Sequence, residues 1–259
     1  MEYKELNSLS DISDYDGTLD SIKTLLTVRM FNVDNMPSDK EDIAYKQYGN
    51  FALVLSVEEK VLKRDDYILY EYTFTNEDIK NFEITFEELY DKCTSNMNTV
   101  NSYRIESLSQ YITRGSVFDS ISQTVPGMCA VKSALTSSPS PFGRSIGEMP
   151  NILDDDEKHM IVVSNRRRMF GAVNILMPEV IEEIYKKFKS NYYIIPTSIH
   201  EAICVNSKYY KYDCKSNEKE QDYKDLLEYI NDVITHDQRD ILSYNIYYMS
   251  HDENVIAKI

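Results

Sequence analysis

At 259 residues the chain is long enough for one large domain or two small ones, and with 42% hydrophobic and 27% charged residues it is too apolar to be disordered throughout. Its formal net charge of −15 repels phosphate backbones. That disfavours direct nucleic-acid binding and leaves a protein partner as the macromolecule the surface suits.

The acidity is uneven. Residues 1–91 carry 21 Asp/Glu against 9 Lys/Arg, whereas residues 92–175 carry 7 against 9. Tyr is frequent at 21 residues and Trp is absent. Met1 to Glu5 opens polar, which predicts no secretory signal. No apolar run approaches the ~18 residues of a membrane span. Cys93, Cys129, Cys204 and Cys214 are too few and too scattered for a disulfide scaffold in a chain this long. Together these predict a cytoplasmic protein with reduced thiols and no membrane association.

In chain order, residues 1–15 read as a loose leader rich in Ser and Asp. Leu19, Ile22, Leu25 and Leu26 recur at helical spacing with Thr18 as cap. Thr27–Val33, Phe51–Val57 and Tyr67–Thr75 are β-branched, apolar or aromatic and predict strands. Thr85 then caps a helix with Phe86, Leu89, Tyr90, Cys93 and Met97 on one face, and Glu88 stands where a capping box needs a carboxylate. Asn101–Leu108 reads as another strand, and an N-terminal α+β segment is expected over 16–113.

Periodicity fails over 114–157, where Ser, Thr, Pro and Gly predict an irregular loop or linker. A C-terminal α+β segment is expected over 158–259. His159–Asn165 reads as a strand, Arg166–Arg168 as a turn and Phe170–Met177 as its hairpin partner. Pro178 opens a helix with Val180, Ile181, Ile184, Tyr185 and Phe188 on one stripe. Tyr192–Ile195 and Ile199–Val205 read as strands, Tyr223–Ile234 as an amphipathic helix, and Ile241–Tyr248 and Asn254–Ile259 as β. Without repeats or strict βαβ alternation, this order predicts an α+β fold with a mixed, mainly antiparallel sheet and flanking amphipathic helices.

Several blocks carry a resemblance. Phe170-Gly171-Ala172-Val173-Asn174-Ile175-Leu176 and Tyr192-Tyr193-Ile194-Ile195-Pro196-Thr197-Ser198-Ile199-His200-Glu201-Ala202-Ile203 resemble the "GA-x-x-(I/L)L" and "Y-I-L-P-S-S-I-H-E" blocks of domain-of-unknown-function family 5688. Thr85–Met97 is similar to that family's "T-x-E-E-L-Y" helix, and Asp237–Ser243 to its "E-E-V-L-S" segment. The resemblance implies a bacterial, cytoplasmic protein and brings no established activity.

The candidate catalytic residues are Ser198, His200 and Glu201. Side chains at i and i+2 of a strand share a face, so a serine nucleophile could meet a histidine base there. The chain has no G-x-S-x-G elbow, however, and the competing reading is a turn whose hydroxyls satisfy backbone groups. Arg166, Arg167 and Arg168 are the candidate ligand-binding residues, able to grip a phosphate or carboxylate, or to pair with the Asp154–Glu157 run before them. No metal site is expected: His200, Cys204 and Cys214 lack zinc spacing, and Asp154–Glu157 lacks the alternation of a calcium loop. Nor is a cofactor, since no phosphate-cradling glycine pattern occurs among only 7 Gly.

The functional expectation is therefore a non-enzymatic protein-binding module with an acidic, Tyr-rich surface. The alternatives are a hydrolase on Ser198 and His200, and an acidic nucleic-acid mimic.

Overall fold

The computed structural model describes residues 2–36, 42–63, 66–108, 110–111, 159–208, 238–251 and 255–258, together with Lys224, Leu227, Glu228 and Asn231. The predicted 114–157 linker lies outside these residues, as does most of the predicted Tyr223–Ile234 helix. The chain forms two compact units, Met1–Ser102 and Tyr103–Ile259, so the strand expected to end the first segment begins the second. The fold is α+β, with one mixed and one antiparallel sheet.

The first unit's sheet has the order β1 (Glu2–Glu5), β5 (Asp66–Thr73), β4 (Phe51–Lys63) and β2 (Leu26–Asn32), with β3 (Tyr45–Tyr48) also on β4. Residues 2–5 are thus no loose leader: β1 runs parallel to β5 with Tyr3 opposite Leu69, a pairing too distant in sequence for a polar tetrapeptide to announce. β4 extends past Val57 to Lys63 because β5 continues alongside it, Glu58 facing Glu71 and Leu62 facing Tyr67.

Short helix α1 (Leu19–Ile22) is capped by Thr18, and α2 (Asn76–Asn81) by a Thr75–Asp78 capping box. α3 (Phe86–Val100) has the predicted Thr85–Glu88 box and buries Leu89, Cys93 and Met97. It lies along β2, with Met97 Sδ accepting from Val28 N–H at 3.4 Å and Asn96 donating to the Leu26 carbonyl at 3.0 Å. A helix so placed covers a strand edge that would otherwise invite pairing.

Inside this sheet sits a charged cluster. The register Arg29–Val54, Ser56–Thr73, Glu58–Glu71 puts Arg29, Ser56, Glu58 and Glu71 on one face. All four are buried. Arg29 pairs with Glu58 at 3.1 Å and with Glu71, which also accepts from the Tyr3 hydroxyl. Burial pushes the Glu71 carboxyl up from its ordinary value, and Arg29 only partly opposes the shift.

The second unit's sheet is antiparallel throughout, with the order β11 (Val255–Lys258), β10 (Tyr247–Ser250), β8 (Tyr192–Ile195), β9 (Ala202–Asn206), β7 (Met160–Asn165) and β6 (Tyr103–Ser107). β7 is flanked on both sides, which accounts for its unbroken apolar run Ile161–Val163. α4 (Pro178–Phe188) starts with Pro at the first turn and buries Val180, Ile184 and Phe188.

Phe170–Met177 is not the hairpin partner of β7. Residues Ala172–Leu176 form a 3₁₀ turn, and β7 pairs instead with β6 and β9. The segment's N–H groups go elsewhere: Gly171 N–H donates to the His200 carbonyl at 3.1 Å and Ala172 N–H to that of Ile199 at 3.3 Å.

Candidate functional site

The residues around the His-Glu block converge in the second unit. Between β8 and β9 the chain leaves the sheet, so Ile199–Glu201 are not strand and the side-by-side display imagined for Ser198 and His200 does not occur. Ser198 N–H donates to the Glu201 carbonyl at 3.2 Å, and Thr197 Oγ1 donates to the same carbonyl at 2.9 Å. The Ser198 hydroxyl accepts from His200 N–H at 3.1 Å. Its oxygen therefore closes a turn of its own backbone.

His200 is held from several directions. Its Nδ1 accepts from Phe170 N–H at 3.1 Å, which fixes the tautomer with the proton on Nε2. Nε2 faces Asp240 Oδ1 at 3.6 Å, outside hydrogen-bond range. The Phe170 ring packs edge-on to the imidazole, with centroids 5.3 Å apart. The His200 carbonyl accepts from Gly171 N–H and, at 2.8 Å, from Ser164 Oγ.

Two residues in the segment that makes these contacts adopt left-handed backbone, Arg168 at φ 56° and Phe170 at φ 54°. Asn165 holds the bend in place: its Oδ1 accepts from Met169 N–H at 3.1 Å and its amide donates to the Met169 carbonyl. Gly171 is required by proximity, since a Cβ there would lie 2.4 Å from Asn165 N.

Glu201 is wholly buried, and burial pushes its carboxyl up, with His200, Tyr111, Arg168 and the Ser198 hydroxyl opposing. Tyr111 donates its hydroxyl to Glu201 Oε2 at 3.0 Å, and burial and that carboxyl hold the phenol well above its ordinary range. The Arg168 guanidinium lies over the Tyr111 ring, 4.3 Å from its centroid, and reaches Glu106 Oε2 at 3.2 Å. Arg104 Nε meets the same Glu106 oxygen at 2.9 Å.

The structure thus brings Ser198, His200, Glu201 and Arg168 into one network and separates the arginine run. Arg168 turns inward while Arg166 is exposed and lines a groove with Tyr103, Arg104, Ile105 and Glu183. Arg167 is half-buried. Sequence reasoning missed Tyr111, Glu106 and Arg104, for which no local motif exists, and Asp240, which lies inside the Asp237–Ser243 block. Among the described residues no group of three His, Cys, Asp or Glu side chains converges as metal ligands would. Cys214 lies outside those residues. Cys93 and Cys204 are buried free thiols, the first pushed up to about 12 by burial.

These features define a two-unit α+β protein whose second unit is organised around a buried histidine–glutamate turn. The chain belongs to the family of unknown function DUF5688, which it matches over residues 2–251. The resemblance read from its His-Glu block and α3 therefore holds across nearly the whole chain. No curated protein and no solved structure matches it. No helix among the described residues is long and apolar enough to cross a membrane.

Proposed function

We propose that this chain is a non-enzymatic protein-binding module of the bacterial cytoplasm, and that its first unit presents an acidic, tyrosine-bearing surface to a basic partner. The observation that carries the reading is β3. All four of its residues are exposed, with Tyr45 and Tyr48 at 42% and 44%, in a stretch where Asp and Glu outnumber Lys and Arg. Tyrosine supplies contact area with little rotamer entropy to lose, and tyrosine-centred patches in a charged rim recur at recognition surfaces.

The arrangement near position 200 supports the same reading from the other side. A hydrolase on Ser198, His200 and Glu201 needs the serine hydroxyl free to give its proton to the imidazole. Here the imidazole offers no lone pair for that proton, since Nδ1 accepts from Phe170 N–H and Nε2 carries the hydrogen, and all three residues are buried. A nucleic-acid mimic needs its carboxylates displayed at phosphate-like spacing, whereas Glu58 and Glu71 are committed to Arg29 in the interior.

The test is capture from lysate on immobilised chain. A partner held at low salt, released at high salt and lost with Tyr45→Ser/Tyr48→Ser is the expected result. Failure to retain any partner at low salt overturns the proposal. Ester or amide hydrolysis abolished by Ser198→Ala would carry the hydrolase reading instead.

A further inference from the structure

On one side, β4 outruns its neighbour. Its pairing with β2 ends at Val57, opposite Leu26, whereas its pairing with β5 continues to Lys63, opposite Asp66. Past Val57 no second strand among the described residues flanks β4, so Glu59–Lys63 form one side of a two-stranded arm with an open edge. Such an edge leaves alternate N–H and C=O groups without a strand partner and offers a template to another chain. Lys60, Leu62 and Lys63 are exposed, Leu62 at 77%, and Glu59 and Val61 are half-buried. Leu62 faces Tyr67 across the arm, and the Lys60 ammonium lies over that ring, 4.0 Å from its centroid.

The edge is complementary to itself. Residues 59–63 read Glu-Lys-Val-Leu-Lys. Laid antiparallel on a second copy with Val61 facing Val61, Glu59 meets Lys63 at both ends and Lys60 meets Leu62. On one face Val61 then sits between opposite-charge pairs, and on the other Leu62 rests on the aliphatic stem of Lys60. The match belongs to this register alone among its neighbours. Centred on Lys60 the strands set lysine against lysine, and centred on Leu62 they set Val61 against Lys63. Edge lysines normally guard against foreign strands, and Glu59 lifts that guard for a strand of the same sequence. Residues 1–91 are strongly acidic, yet 59–63 carry two Lys against one Glu, so two copies meet here without apposing acidic patches. Glu59 Oε2 accepts from Ser13 N–H at 3.2 Å, and a carboxylate has a second oxygen to give.

We propose that the β4–β5 arm pairs two copies of this chain across a two-fold axis at Val61, with Glu59 of each copy held by Lys63 of the other. The contact is isologous, as closed dimers require. It is short beside stable interfaces, so the association is weak. β3 lies on β4 at Phe51–Val54, the opposite end, so the contact is independent of the tyrosine surface proposed above.

The experiment is sedimentation equilibrium of the full chain at physiological ionic strength, with loading concentration raised from micromolar towards millimolar. A monomer–dimer equilibrium is expected. Lys63→Glu and Glu59→Lys, surface changes that keep the circular dichroism spectrum, should each weaken it about tenfold by setting like charges opposite one another. An equimolar mixture of the two variants should dimerise as the unaltered chain does, because every facing pair is again one carboxylate and one ammonium. Tyr45→Ser/Tyr48→Ser should leave dimerisation unchanged. A chain that stays monomeric at the highest concentration overturns the proposal, as does undiminished association of Lys63→Glu. So does a mixture no stronger than either variant alone, or loss of the dimer with the tyrosine substitutions, which would move the contact to β3.

Discussion

Gly171→Ala is the sharpest perturbation available in the second unit. Gly171 has φ −90° and ψ −9°, so alanine meets no backbone strain there. The cost is steric: the new Cβ would stand 2.4 Å from Asn165 N, 2.7 Å from the Ser164 carbonyl carbon and 2.8 Å from Ser164 Oγ. Comfortable carbon contacts begin near ~3.5 Å, and two of these neighbours are backbone, so the 3₁₀ turn must retreat by about 1 Å. Retreat stretches the 3.1 Å bonds from Gly171 N–H to the His200 carbonyl and from Phe170 N–H to His200 Nδ1 beyond useful range. Overpacking costs about 1–3 kcal/mol and each of the two lost buried hydrogen bonds about 1 kcal/mol, which together give about 3–5 kcal/mol. Gly49→Ala is the matched control, with φ 61° and nothing within 4 Å of the added carbon. It should cost only the left-handed penalty of about 1–2 kcal/mol. Urea unfolding followed by circular dichroism, with hydrogen exchange of peptides from 160–208 to locate the loss, measures both. A Gly171→Ala change below about 1 kcal/mol, or no larger than that of Gly49→Ala, refutes the reasoning.

Arg29→Met should destabilise the first unit by about 3–5 kcal/mol, because two buried carboxyls lose their shared cation, and adding Glu71→Gln should restore part of this in denaturant titration. Tyr111→Phe keeps the ring under Arg168 but strips Glu201 of a donor; a loss of about 1–3 kcal/mol is expected, with a null result arguing that Glu201 has another partner. Glu71, Glu106 and Glu201 are all pushed up by burial, so the folded state binds protons the unfolded chain has released. Their contribution is fully present below the ordinary value of 4.5 and is lost as pH rises through the elevated folded values. Melting temperature should therefore climb on acidification from neutrality towards pH of about 5, and Glu71→Gln should flatten the climb. Cys93 and Cys204, buried with raised thiols, should resist iodoacetamide in the native protein and react once it is unfolded, as peptide mass mapping will report.

Elements whose hydrophobic period and local caps agree were legible from the residues alone. α3, with its Thr85–Glu88 box, and α4, with Pro178 at its first turn, are of this kind, as are β2, β7 and β8. β1 and β3 were not, since Glu2–Glu5 and Tyr45–Tyr48 are short strands of polar and aromatic residues without a buried face. They exist because β5 and β4 offer edges to them. The 3₁₀ turn was misread because Val173 and Ile175 favour strands, while the close docking of Gly171 on β7 and on the His200 loop decides otherwise. The His-Glu block itself was visible, but its partners Tyr111, Glu106 and Arg168 are joined only by the folded sheet. The left-handed backbone at Arg168 splits three adjacent arginines into interior and surface roles, which no composition could reveal.

In both units buried carboxyls are held against guanidiniums, and burial still raises their affinity for a proton. In the first, Arg29 faces both Glu58 and Glu71, and burial, ahead of repulsion from Glu58, pushes Glu71 up. In the second, Arg168 reaches Glu106, which Arg104 also meets, and opposes the upward shift of Glu201 as well, so two buried carboxyls again sit against guanidiniums.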